Sequence, residues 1–232
     1  MTERDILALI VSFMVVGIVM IISMRLHKAG YSLLFTRKLV HVVIGLWIIP
    51  AMFLFDHSWV AIIPPAIALI GNAISHFTGL IGSIELEHEK ANFGTILYPA
   101  AFIVVLLVFF PSYNPYWYVG MLGILLMTFA DTAASVWGRY FGTRKYKIWD
   151  ETRSVDGSLA MLWVSFLVAW FVFGFLGLYS ITGFSGWGNF IMAWYVAVFA
   201  TAIEAVSLRG WDNFLVPVGS AFFSLLILKL LM

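Results

Sequence analysis

The sequence predicts an all-α integral membrane protein, a bundle of about eight transmembrane helices forming a single polytopic domain over residues 1–232. Three observations carry this expectation. Apolar and aromatic residues make up 62% of the chain, against roughly 45–50% in an ordinary soluble domain. Charged residues make up only 11%, where soluble chains average about 25%. The mean hydropathy is +1.00, and the apolar residues fall into runs near the ~20 that a spanning helix needs. A water-soluble globule of this size still exposes a large share of its area. A soluble enzyme, a disordered chain and a nucleic-acid binder are therefore excluded.

In chain order the apolar runs are 6–26, 39–55, 59–80, 93–110, 116–138, 157–179, 190–208 and 214–232. The first exceeds the apolar core of about 7–15 residues found in a cleavable signal, and no small-residue cleavage site follows it. It is expected to span. Eight helices of ~20 residues use most of the chain, so any chemistry must be built from helix ends and short connections. The chain has no cysteine, which excludes disulfides, thiolate catalysis and cysteine-ligated metals.

The formal net charge of +1 is unevenly spread. With the N-terminus outside, every basic residue except Arg4 and Lys229 falls on the inner side, as the positive-inside rule requires. Glu85, Glu87, Glu89, Asp131, Asp150, Glu151, Asp156, Glu204 and Asp212 fall there too. The outer connections, 55–59, 111–115 and 180–189, are a tight turn, a Pro/Asn turn and a Gly/Ser-rich stretch, all poor in chemistry. A transporter or channel using Asp131 and Glu204 as relay groups would carry polar residues on toward the other face. Here they gather at one surface, as expected of an enzyme meeting a soluble cosubstrate there.

Four constellations bear chemistry. Thr36-Arg37-Lys38-Leu39-Val40-His41 opens the second run, and on a helix Arg37, Lys38 and His41 share one face. Backbone N–H groups at a helix start, backed by two cations, form an anion site. The same two cations also suit ordinary anchors that snorkel to headgroups. In the fifth run, Thr128, Asp131, Ser135 and Gly138 form a small, polar stripe on an apolar helix. A carboxylate inside the membrane costs at least ~2.5–3.5 kcal/mol and faces a cavity or a partner. A loop follows with Arg139, Gly142, Arg144, Lys145 and Lys147, leading to Arg153-Ser154-Val155-Asp156-Gly157-Ser158 at the start of the sixth run. Gly138 and Gly142 alone would suit helix packing. With Asp131 facing them, the glycines, cations and helix start suit a nucleoside triphosphate. The carboxylate suits Mg²⁺, which binds through one or two carboxylates plus substrate phosphates.

The third constellation, Glu204 to Asn213, joins the last two runs. Glu204 is again an acid just inside the membrane, a second metal or base position, and Asp212-Asn213 caps the following helix. The fourth is an acidic run, Glu85, Glu87, His88, Glu89 and Lys90, expected to be a solvated loop, followed by Phe93-Gly94-Thr95-Ile96-Leu97-Tyr98-Pro99. His27, His57 and His76 are isolated, with no role expected.

Taken in order, Thr36-Arg37-Lys38-x-x-His41, Gly94-Thr95-x-x-Tyr98-Pro99, Asp131 to Gly138, Phe141-Gly142, Ser154-x-x-Gly157-Ser158 and Glu204-x-x-Ser207 with Asp212-Asn213-x-x-x-Pro217 resemble the CTP-dependent polyprenol kinases. That family takes in dolichol, phytol and farnesol kinases and the related CTP-dependent diacylglycerol kinase. The chain departs from its usual pattern at Ala130, where glycine is usual, at Arg153 for lysine, and at Asp156 for glutamate. The resemblance implies transfer of the γ-phosphoryl group of CTP to the hydroxyl of an isoprenoid alcohol in the bilayer, with a divalent metal.

On that reading Arg37, Lys38, Lys145 and Arg153 cradle the triphosphate. Ser135, Gly138, Arg139, Gly142, Ser154, Gly157 and Ser158 complete the nucleotide site, and Asp131, Glu204 and Asp212 hold the metal. Thr95, Tyr98 and Asn213 are auxiliary site positions. Asp131, Glu204 or His41 takes the alcohol's proton, an acid being favoured over His41. The expected setting is the plasma or inner membrane of a prokaryote, with the site at the cytosolic face. The nearest alternative is a CTP:phosphatidate cytidylyltransferase making CDP-diacylglycerol. Those enzymes resemble one another in a His-Gly-Gly segment followed by Asp-Arg-x-Asp, for which the stretch from Glu204 to Asn213 has no counterpart.

Overall fold

The computed structural model describes residues 1–78, 93–149, 151–176 and 186–231. Its helices are α1 (Glu3–Lys28), α2 (Leu33–Leu46), α3 (Ile48–Leu54), α4 (Ser58–Ala61), α5 (Ile63–Thr78), α6 (Gly94–Val108), α7 (Trp117–Leu126), α8 (Thr132–Phe141), α9 (Val155–Phe171), α10 (Gly186–Val206) and α11 (Asp212–Leu231). A π-helical turn, Met127–Asp131, joins α7 to α8, and a second, Val172–Leu176, extends α9. Among the described residues seven helical stretches are long and apolar enough to cross a membrane. The chain is thus a helical, multi-pass membrane bundle. The fourth expected run, 93–110, is the shorter α6 of 15 residues, about 22 Å at 1.5 Å per residue, and it gives way to the Pro111 turn.

α7 forms the axis of the bundle. Every residue from Tyr118 to Leu126 is buried, because α6, α9 and α11 surround it. A helix apolar all round is satisfied only by such a position. α1 lies at the periphery, with most of its large apolar side chains exposed, as suits a surface facing lipid. Its first turn is nevertheless held firmly. Arg4 Nη1 pairs with Asp56 Oδ1 at 3.0 Å, and the buried Asp5 Oδ1 accepts from the backbone N–H of Asp56 at 3.0 Å and of His57 at 3.3 Å. His57 Nδ1 lies 2.8 Å from Asp5 Oδ2. The 55–59 turn, expected to be bare, carries an ionic clasp, and His57, expected to be isolated, belongs to it.

Two further expectations change. The second span starts earlier than its apolar run, because Ser32 caps α2 by accepting from Phe35 N–H at 3.2 Å. Arg37 and Lys38 therefore lie in the second turn of a helix already under way. Their backbone N–H groups are not a helix-terminal anion site, since a helix's orphan donors belong to its first four residues. The basic stretch after α8, expected to be a loop, is an antiparallel hairpin of β1 (Lys145–Ile148) and β2 (Glu151–Ser154), with Lys145 opposite Ser154 and Lys147 opposite Thr152. The acidic run Glu85, Glu87, His88, Glu89 and Lys90, residue Asp150 and most of the 180–189 connection lie outside the described residues.

Candidate active site

Asp131 closes the π-helical turn and is buried, 8% exposed. A π turn is an interruption often found at functional positions, and here it stands between two regular helices whose faces it joins. Behind Asp131 stands α2. Lys38 Nζ approaches Asp131 Oδ2 to 2.5 Å, and His41 Nε2 lies 4.0 Å from the same oxygen. In front of Asp131 opens a cavity of about 420 Å³.

The cavity gathers residues from α8, the hairpin, α9, α10 and α11. Ser135, Gly138, Arg139, Lys145, Arg153, Ser154, Gly157, Ser158, Glu204 and Asp212 line it together with Asp131. Ala134, which falls within the Asp131 to Gly138 motif, and Thr152 complete the wall; sequence reasoning missed Thr152. Thr152 was legible only to a reader who paired the hairpin, and its turn lacks the usual glycine or asparagine signal. Trp149 takes the left-handed conformation instead, at φ 53°.

Three carboxylates and three cations share this wall, and their pairing is specific. Arg153 binds Glu204 through Nη1, donates from Nη2 to Ser207 O at 3.1 Å, and lies 3.8 Å from Asp212 Oδ2. Asp212 is itself positioned by Asn213, whose backbone N–H and side-chain amide donate to Asp212 Oδ1 at 2.9 and 3.0 Å. Arg209 Nε donates to Glu151 Oε1 at 3.0 Å, tethering β2 to the connection before α11. Tyr146 on β1 meets Ser158 across 2.6 Å. The hairpin is thus fastened over one side of the cavity.

The glycines act differently from expectation. Ser154 caps α9 by accepting from Gly157 N–H at 3.0 Å, so that donor is already used within the protein. A Cβ built on Gly138, Gly142 or Gly157 would come within 2.8, 2.7 and 2.9 Å of Ser154 Oγ. These glycines let α8 and α9 close on one serine hydroxyl rather than opening backbone donors to a ligand. Gly142 does not line the cavity at all.

Other expected positions lie apart from the cavity wall. Arg37, Lys38 and His41 are half-buried on α2, behind Asp131. Tyr98 stacks on His41, with ring centroids 4.3 Å apart. Thr95 accepts through its carbonyl from Asn72 Nδ2 at 2.7 Å, a contact between α5 and α6. Among the described residues no three acidic or histidine side chains gather into a metal-binding group. A metal here would rely on one or two carboxylates and on its ligand's own oxygens.

No family model matches the chain, and no solved structure matches it. Two curated relatives do. The chain is 29% identical over 133 residues to a phytol kinase from Synechocystis sp., covering 57% of this chain and 56% of that one. It is 30% identical over 159 residues to a probable chloroplastic phytol kinase 1 from Glycine max, covering 64% of this chain and 50% of that one. The chain spans about half the length of the curated relatives it matches. These similarities bear out the resemblance to the polyprenol kinases in its phytol kinase branch.

Proposed function

We propose that this chain, related as it is to the phytol kinases, is a membrane-bound prenyl alcohol kinase that moves the γ-phosphoryl group of CTP onto the hydroxyl of an isoprenoid alcohol. The observation that carries the reading is the position of Asp131. It lies on the wall of a cavity bearing Arg139, Lys145 and Arg153, within a helical stretch long and apolar enough to cross a membrane. A nucleotide's phosphates can enter from the polar side while an alcohol's hydroxyl reaches the same depth from the bilayer.

Phosphoryl transfer asks a protein mostly for positioning and charge neutralisation. Lys145 and Arg139 meet the phosphates, and Arg153 is oriented toward them by Glu204 and Asp212. A carboxylate of the wall, Asp131 in our reading, takes the proton of the alcohol. The alcohol oxygen bonds to the γ-phosphorus, the bond from that phosphorus to the β–γ bridging oxygen breaks, and the nucleoside diphosphate leaves with the electron pair. One or two of the wall carboxylates Asp131, Glu204 and Asp212 would hold Mg²⁺, with the phosphate oxygens supplying the rest, since no three of the described acidic side chains gather into one group. When bound, Mg²⁺ would neutralise charge on the phosphate oxygens. The cavity would open to the cytosol of a prokaryotic plasma or inner membrane.

The test is a reconstituted full chain given γ-labelled CTP with phytol, geranylgeraniol, farnesol, a dolichol, diacylglycerol or phosphatidate. Label on a prenyl alcohol supports the kinase. Pyrophosphate release with transfer of CMP to phosphatidate replaces it with the cytidylyltransferase. Running ATP and UTP in parallel reads the donor.

A further inference from the structure

We infer that His41 is a positioning residue, which holds the Met127 carbonyl and thereby the π turn that presents Asp131. The inference rests on the phosphoryl-transfer reading for its activity arm alone. His41 Nε2 lies 3.1 Å from Met127 O. A carbonyl oxygen only accepts, so Nε2 carries the hydrogen and is spent on this bond. Met127 is the first residue of the π turn and Asp131 the last, so His41 holds the turn at its first residue, while the same nitrogen stands 4.0 Å from the Asp131 carboxylate at its last. The ring does not line the cavity, so it does not meet a ligand bound there.

The ring is itself fixed from two sides. It stacks on Tyr98 at an interplanar angle of 23°. The Tyr98 hydroxyl meets Thr128 Oγ1 at 3.1 Å, and Thr128 Oγ1 donates to Ile124 O at 2.7 Å. Thr128 follows Met127 in the same turn. The contacts form a closed loop: turn to His41, His41 to Tyr98, Tyr98 back to the turn. α2 can come this close because residue 45 is glycine; a Cβ there would fall on Thr128 Oγ1 and within 2.5 Å of the Tyr98 hydroxyl. A π turn fixed at both ends cannot relax to α-helical register, which would swing the residues after it around the helix axis. The polar contacts of Lys38, His41 and Tyr98 thus act on Asp131 as one support.

Two substitutions separate positioning from proton transfer. His41→Phe keeps a ring for Tyr98 but has no donor. His41→Gln keeps an N–H near the Nε2 position but is no base. Misplacing a reacting group by about 1 Å costs on the order of 10²-fold, so H41F should lose about 10²-fold in kcat with KM for both substrates changed by less than about threefold. H41Q should recover to within about tenfold of the parent. An H41Q variant as inactive as H41F overturns the inference. Independently of turnover, nitrogen-15 NMR of histidine-labelled protein in bilayers should show a neutral, Nε2-protonated ring in the signal that H41Q removes. An Nδ1-protonated or charged ring in that signal also overturns it. Should no alcohol be phosphorylated by the parent protein while that signal is Nε2-protonated, the kinase reading fails and the support of the turn stands.

Discussion

Lys38 Nζ lies 2.5 Å from Asp131 Oδ2, joining side chains 93 positions apart in the chain. The pair is mostly enclosed, with side-chain exposures of 19% and 11%. Breaking a buried ion pair by removing one partner strands the other charge, at a cost of about 3–5 kcal/mol, whereas replacing both is often neutral.

The first prediction follows from that asymmetry. Lys38→Met alone should destabilise the protein by roughly 3 kcal/mol or more, read as thermal unfolding in detergent. Adding Asp131→Asn should restore most of the stability without restoring turnover. Asp131→Asn alone should abolish turnover while the protein still inserts, checked by labelled-phosphate transfer and by gel filtration. Retained activity in D131N would remove Asp131 from the chemistry.

Arg153 supports the second. It is the only described cation joined to both Glu204 and Asp212. Arg153→Ala should leave two wall carboxylates facing each other and lower both stability and kcat. Lys is no equal replacement, since a single ammonium lacks the guanidinium fork. R153K should therefore recover stability better than activity, measured as unfolding midpoint against kcat.

Lys145 gives the third. It projects from β1 to the cavity wall, and none of the described ion pairs involves it. Its substitution by Ala should raise KM for the nucleotide about tenfold, the equivalent of ~1.4 kcal/mol, with kcat nearly unchanged. A drop in kcat with KM unmoved would place Lys145 in the transition state instead.

The glycine cluster around Ser154 gives the fourth. Gly138→Ala would push a methyl to 2.8 Å from Ser154 Oγ, so α8 and α9 must separate, and both stability and activity should fall. Ser154→Ala in the same chain removes the obstructing oxygen at the cost of a helix cap worth ~1 kcal/mol. The double variant should unfold at a higher temperature than G138A alone. If it does not, the crowding lies elsewhere.

Topology is the fifth. Because the chain has no cysteine, single cysteines report sidedness without background. Asn114→Cys should react with an impermeant maleimide added outside intact cells, and Arg144→Cys only after permeabilisation. The reverse pattern would overturn the N-outside arrangement.

Much of the bundle was legible in the sequence, because burial in lipid is written as local runs of apolar residues. The cavity wall was legible for a related reason: Asp131, Ser135 and Ser158 are polar where the pattern demands apolar residues. What escaped was geometry that no local pattern encodes. Lys38 reads as a phosphate-cradling cation, or else a headgroup anchor, until α2 is seen beside the π turn. The hairpin reads as a basic loop because Trp149, not glycine, takes the left-handed position. Gly138, Gly142 and Gly157 read as a ligand cradle until Ser154 is found among them. The Asp5–His57 clasp spans 52 positions, beyond any spacing rule.

The ionic contact between α2 and the π turn also bears on how far this chain can be trimmed. Every residue bordering the cavity lies between positions 131 and 212, which invites cutting out a compact module from α7 onward. Such a fragment would keep the whole cavity wall yet abandon the Lys38 counter-ion, leaving the Asp131 carboxylate without its ion-pair partner. α2, which lends no residue to the cavity wall, would in that sense belong with the pocket it backs.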